Sequence, residues 1–191
     1  MTDQEKLLLG GGLAAVFAAA FLAKKAAPEI GEVAQFIAKF GPIDKQVSAE
    51  AGWPPGILTA WAAMESGWGT SELAAKYNNL FGIKASQAWL ADHKPVVPLP
   101  TREYEGTSHV EHIIAPFKAY PNWTASAQDL VYTITQQPTT APLYKGAADA
   151  LDRGDISGFL AAITASPYST AANYGDRILS TLKTVANTQI A

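Results

Sequence analysis

Residues 62–85 read AAMESGWGTSELAAKYNNLFGIKA, and the reading of the whole chain turns on them. The preceding ILTAW continues into AAMES as one apolar helix that Pro54-Pro55 opens and Gly67 stops. Glu65 stands at the C-terminal end of that helix, with Trp61 one turn earlier on the same face and Trp68 three residues later. A carboxylate there meets the negative end of the helix dipole and apolar neighbours, and both disfavour its charged form. Such a setting suits a general acid, whose pKa must lie near the working pH. The same residues equally describe a surface glutamate beside two core tryptophans.

Outward from this stretch the pattern is mainly helical. Ile30, Val33, Ile37 and Phe40 recur at helical spacing until Gly41-Pro42, which predicts a stop, and a short helix follows from Ile43 to Ala51. Thr70 or Ser71 caps SELAAKY. Between Asn78 and Tyr120, prolines 95, 98, 100 and 116 with the β-favouring TREYEG and HVEHIIAPFKAY predict loops around a small antiparallel hairpin. Helical periodicity returns near 124–136, 144–152, 156–165 and 171–187. The expected fold class is mainly α (α+β), a helical lobe with a β-hairpin inserted after its central helix.

Composition narrows the function. The 191 residues hold 14 Lys+Arg against 17 Asp+Glu, a balance that argues against a nucleic-acid binder. With no cysteine, a disulfide scaffold, a thiolate nucleophile and Cys-ligated metal are excluded. His109 and His112 of HVEH fall on opposite faces of a strand, so no metal site and no cofactor are expected. Ser66 lacks a G-x-S-x-G elbow, and Trp53, Trp89 and Trp123 read as core or rim. Leu7–Ala23 runs 17 residues without a charge, about 25 Å of helix, near the short limit for a membrane span. The expected organisation is an N-terminal hydrophobic helix within 1–27, read as a transmembrane anchor, and a catalytic domain over 28–191. A cleaved signal peptide and a packed Ala-rich helix are the other readings of the N-terminus. Lys24-Lys25 would hold the following domain on the cytoplasmic side.

Three boxes, ESGWG at 65–69, NNLFGIK at 78–84 and T-x-E-Y at 101–104, together with SPYSTAANYGDRIL at 166–179, resemble the glycoside hydrolase family 73 glucosaminidases. That family includes flagellum-associated and autolysin-type peptidoglycan hydrolases, and the likeness spans roughly residues 36–187. It departs at Ala171 and Ala172, where the family usually has Asp-Pro. The resemblance implies a lysozyme-like fold with its cleft between the helical lobe and the hairpin lobe, acting on the glycan of peptidoglycan after N-acetylglucosamine. Carried onto this chain, it makes Glu65 the general acid, Glu103 the second carboxylate and Tyr174 a tyrosine near the cleaved bond. Asn79, Leu80, Phe81 and Gly82 would line the groove, with Trp68 and Tyr168 also counted among the substrate-binding residues. Glu105 and Glu111 are rivals of Glu103 outside the T-x-E-Y pattern. Inverting, retaining and substrate-assisted routes stay open, as do a lytic transglycosylase and a catalytically weak wall-binding or assembly component. The implied partners are glycan strands, a membrane through the N-terminal helix, and a flagellar or phage virion assembly. The implied location is the cell envelope or a virion. A wall enzyme should face outward, against the inward pull of Lys24-Lys25.

Overall fold

The computed structural model describes residues 30–105, 109–169 and 171–190. The anchor expected within 1–27 lies outside the described residues, as does Thr170 of the tail motif. Among the described residues no helix is long and apolar enough to cross a membrane.

The order of elements is α1 (Ile30–Ala51), α2 (Ile57–Ser66), α3 (Glu72–Tyr77), α4 (Gln87–Ala91), β1 (Val96–Glu105), β2 (His109–Lys118), α5 (Trp123–Thr135), α6 (Ala141–Asp152), α7 (Ile156–Ala165) and α8 (Tyr174–Ile190). Every residue of α2 is buried. It packs between α1 and α8, while α5, α6 and α7 close the lobe in sequence. A helix apolar all round belongs in such a place.

The predicted stop at Gly41-Pro42 is corrected: α1 is one helix of 22 residues with Pro42 inside it. Val33, Phe36, Ile37, Phe40, Asp44, Val47 and Ser48 are buried at three- and four-residue steps, so one inward stripe runs straight past the proline. Pro42 itself is exposed. Burial of that stripe outweighs the lost hydrogen bond of an interior proline.

The start of α2 has a cause that its own residues do not show. Gly56 precedes it in a left-handed conformation and no local side chain caps it. Asp44, from α1, does so. Its Oδ2 accepts from Gly56 N at 2.9 Å, Thr59 N at 2.8 Å and Thr59 Oγ1 at 2.6 Å, while Oδ1 accepts from Ser48 Oγ at 2.6 Å. A buried carboxylate so satisfied at a helix N-terminus is stable there, each bond contributing on the order of 1 kcal/mol.

The hairpin is longer than TREYEG suggested. β1 and β2 pair antiparallel from Val96↔Lys118 to Glu105↔His109. Pro98 and Pro100 can stay within the strand because each strand of a two-stranded sheet has one unpaired side, where a missing N–H costs no ladder bond. The unanticipated α4 is capped by Ser86, whose hydroxyl accepts from Trp89 N at 3.2 Å, and Ser71 caps α3 through Ala74 N at 3.2 Å.

Candidate active site

The string Ser66-Gly67-Trp68-Gly69 turns the chain sharply out of α2. Gly67, Trp68 and Gly69 all have positive φ, at 58°, 59° and 77°. A Cβ on Gly69 would come within 3.0 Å of Trp123 and 3.1 Å of Phe36. Ser66 Oγ donates to Ala62 O at 2.5 Å and accepts from Gly69 N at 2.8 Å, so the hydroxyl is spent on this turn. Trp68 is half-buried; it meets Phe36 edge-on at 5.9 Å and packs on Val33, Ile37 and Val185.

Glu65, in the last turn of α2, is 5% exposed. Tyr174, the first residue of α8, donates its hydroxyl proton to Glu65 Oε1 at 2.5 Å. The same hydroxyl oxygen accepts from Trp61 Nε1 at 2.7 Å. Burial first, and the neighbouring Glu65 charge second, push the Tyr174 phenol well above its usual range, so it remains a donor. Tyr168 braces the group. Its ring lies 4.8 Å from Trp61 and 5.4 Å from Tyr174, and burial raises its phenol too. Two residues 109 positions apart, Glu65 and Tyr174, thus meet.

The NLFG segment, expected to line the groove, packs into the fold. Asn79, Leu80, Phe81 and Gly82 are all buried. The Asn79 amide donates to Ile83 O at 2.9 Å and Lys118 O at 2.8 Å, and its carbonyl accepts from Ile83 N at 3.0 Å. Its side-chain polar atoms join the hairpin root to the helical lobe. Leu80 and Phe81 belong to the main core, and Tyr168, also buried, hydrogen-bonds Phe81 O at 3.4 Å.

Around the same root, Lys118 Nζ meets Asp129 Oδ2 at 2.8 Å and lies 4.6 Å from the Trp89 ring centre. Tyr120 donates to the same Asp129 oxygen at 2.7 Å. This cluster ties the end of β2 to α5. Glu103 lies farther out, on β1 opposite Glu111 in the register. The side chains of Glu103, Glu105, Glu111, His109 and His112 lie outside what the structure describes. The residue that the sequence reading passed over is Trp61. Its spacing from Glu65 was visible, but its polar partner is remote in sequence.

This geometry offers one buried acid held by a hydroxyl, in a fold whose hairpin carries further carboxylates. A family model described as glucosaminidase (mannosyl-glycoprotein endo-beta-N-acetylglucosaminidase) matches residues 41–187. A protein of Vibrio parahaemolyticus named peptidoglycan hydrolase FlgJ is 31% identical over 147 residues, covering 75% of this chain and 44% of the relative. A probable N-acetylmuramidase of Lactococcus lactis is 35% identical over 150 residues, covering 76% of this chain and 32% of the relative. The chain thus spans less than half the length of both relatives. The catalytic domain of the autolysin Auto from Listeria monocytogenes superposes with a TM-score of 0.68 at 26% identity, covering 88% of this chain and 92% of that one.

Proposed function

The chain belongs to the glucosaminidase family, and we propose that it hydrolyses the glycan strand of peptidoglycan after N-acetylglucosamine, with Glu65 as the general acid. The observation that carries this reading is the Trp61–Tyr174–Glu65 chain of hydrogen bonds, which fixes a nearly water-free carboxyl group in one orientation. In the proposed reaction Glu65 protonates the glycosidic oxygen as its bond to the anomeric carbon breaks. Water adds to that carbon, and one of its protons is taken up by a carboxylate. Glu103 supplies that carboxylate, or stabilises the cation-like transition state. Tyr174 holds the acid and stands beside the bond that is cut.

The family model is described as a glucosaminidase while one relative is named a probable N-acetylmuramidase, so the product decides which bond is cut. Purified peptidoglycan treated with the full-length protein is expected to yield fragments with N-acetylglucosamine at the new reducing end. Reducing N-acetylmuramic acid would make the protein a muramidase instead, and anhydro-muramyl ends a lytic transglycosylase. Intact glycan would leave a wall-binding component.

The proposal extends to the N-terminus, where Leu7–Ala23 anchors the enzyme in a membrane. Full-length protein is then expected to stay with membranes through an alkaline carbonate wash. Recovery of the intact chain in the supernatant would remove the anchor, and a new N-terminus near Ala26 would show a cleaved signal in its place.

A further inference from the structure

Trp61 is fully buried against Phe81, Phe159 and Tyr168. Filling that volume requires an apolar ring, not a polar atom. Yet its Nε1–H is aimed at the Tyr174 hydroxyl, which in turn reaches Glu65 Oε1. A phenol proton can lie on either side of its C–O bond. An indole N–H only donates, so the Tyr174 oxygen must accept from it and turn its own proton toward Glu65. Donation into a hydroxyl also strengthens the bond that the hydroxyl donates, most of all where water is excluded.

We propose that Trp61 is a positioning residue for the catalytic acid: it fixes the Tyr174 proton on Oε1 of Glu65 and so holds in one orientation the carboxyl group that protonates the substrate. This rests on the reading of Glu65 as the general acid. Donation to the carboxylate favours its ionised form, so weakening that donation should let Glu65 keep its proton to higher pH.

Two measurements on the full-length protein test this. In the first, nitrogen-15-labelled tryptophan is followed by NMR across the acid range, the Trp61 indole being assigned through its contacts with the Tyr168 and Tyr174 rings. Its signal is expected to titrate with Glu65, and the titration to vanish in both Glu65→Gln and Tyr174→Phe. An indole that does not move with pH, or moves equally in those variants, overturns the proposal. This arm needs no substitution of Trp61, so it decides even if Trp61→Phe fails to fold.

The second is wall hydrolysis by Trp61→Phe, which keeps a ring and removes the donor. The expected result is a roughly tenfold fall in kcat, about the worth of one hydrogen bond. The basic limb of its pH profile should move upward, and the change should cause no further loss when added to Tyr174→Phe. Equal losses in both backgrounds, or an unmoved limb, would mean packing alone and overturn the proposal. Glu65→Gln separates the two levels. If that variant hydrolyses wall normally, the acid assignment falls and this proposal with it; if it is inactive while the indole is silent, only the proposal falls.

Discussion

Glu65 and Glu103 stand on elements that are held in very different ways. Glu65 ends a helix buried on every side and receives a hydrogen bond from Tyr174. Glu103 sits near the outer end of a two-stranded ladder whose ties to the helical lobe lie at the opposite end, through Asn79 and Lys118. This predicts an asymmetry. Glu65→Gln keeps the shape and removes the transferable proton, so hydrolysis should fall by the ~10²–10⁴-fold typical of a lost general acid. Glu103→Gln should slow it less, and Glu105→Gln hardly at all. None should unfold the domain, since each replacement is isosteric. Turbidity loss of a wall suspension at matched folded concentration, with thermal melts as control, reads all three. A near-normal Glu65→Gln beside a dead Glu103→Gln or Glu105→Gln would move the acid to the hairpin. At this scale the boxes name Glu65 and Tyr174 separately, and the hydrogen bond that joins them is written in neither. They are silent on the structural part of Asn79, whose amide clamps two backbone carbonyls that the motif does not name.

At the scale of elements, sequence signals worked where the cause was local and failed where it was tertiary. Ser71 caps α3, one of the two caps expected there; Ser86 caps α4 in the same local way, although that helix was not anticipated. The cap of α2 comes instead from Asp44, and Pro42 is carried through α1 by packing, so neither was visible in its own stretch. Two glycines facing α7 test how closely the elements are fitted. Gly175, in the first turn of α8, approaches α7 so nearly that a Cβ would lie 2.6 Å from Leu160 O and 2.6 Å from Thr164 Oγ1. Gly146, exposed in the middle of α6, would place its Cβ an ordinary 3.6 Å from Ala162. Gly146→Ala should therefore gain up to ~1 kcal/mol of helix propensity, about 2–4 °C in Tm for a domain of this size. Gly175→Ala should lose about 1–3 kcal/mol by overpacking. It should also lower activity, because the shift of α8 carries Tyr174 away from Glu65. Thermal melts and the wall assay check both, and a stabilised, fully active Gly175→Ala would contradict this account of the α7–α8 contact.

Across the whole molecule, the helical lobe is organised around aromatic rings rather than aliphatic ones alone. Trp61 touches Phe81, Phe159 and Tyr168, and Tyr168 touches Tyr144 and Tyr174, so residues from α2, α6, α7, α8 and the intervening loops share one cluster. Periodicity could identify the helices, but nothing in a single chain states which rings meet across more than a hundred residues. The packing has a consequence for pH. Burial raises the phenols of Tyr120, Tyr144, Tyr168 and Tyr174 above their usual value. These groups keep their protons in the folded state at pH values where the unfolded chain, near pKa ~10, has released them. Their contribution to stability is therefore complete below about pH 10 and is lost as pH rises toward the folded-state values. Each differential proton is worth about 1.4 kcal/mol per pH unit, so four give a slope of about 5–6 kcal/mol per unit once the unfolded tyrosines are ionised. A domain with the usual margin of ~5–15 kcal/mol then unfolds within a few pH units above that point. Thermal melts should stay level in Tm approaching pH ~10 and fall steeply above it. Tyr144→Phe, which touches neither Glu65 nor Tyr174 by hydrogen bond, should flatten that fall by about a quarter. A tyrosinate absorbance titration in which these phenols ionise near pH ~10 while the fold persists would show that the cluster is open to water, and would remove the cause assigned to the alkaline loss.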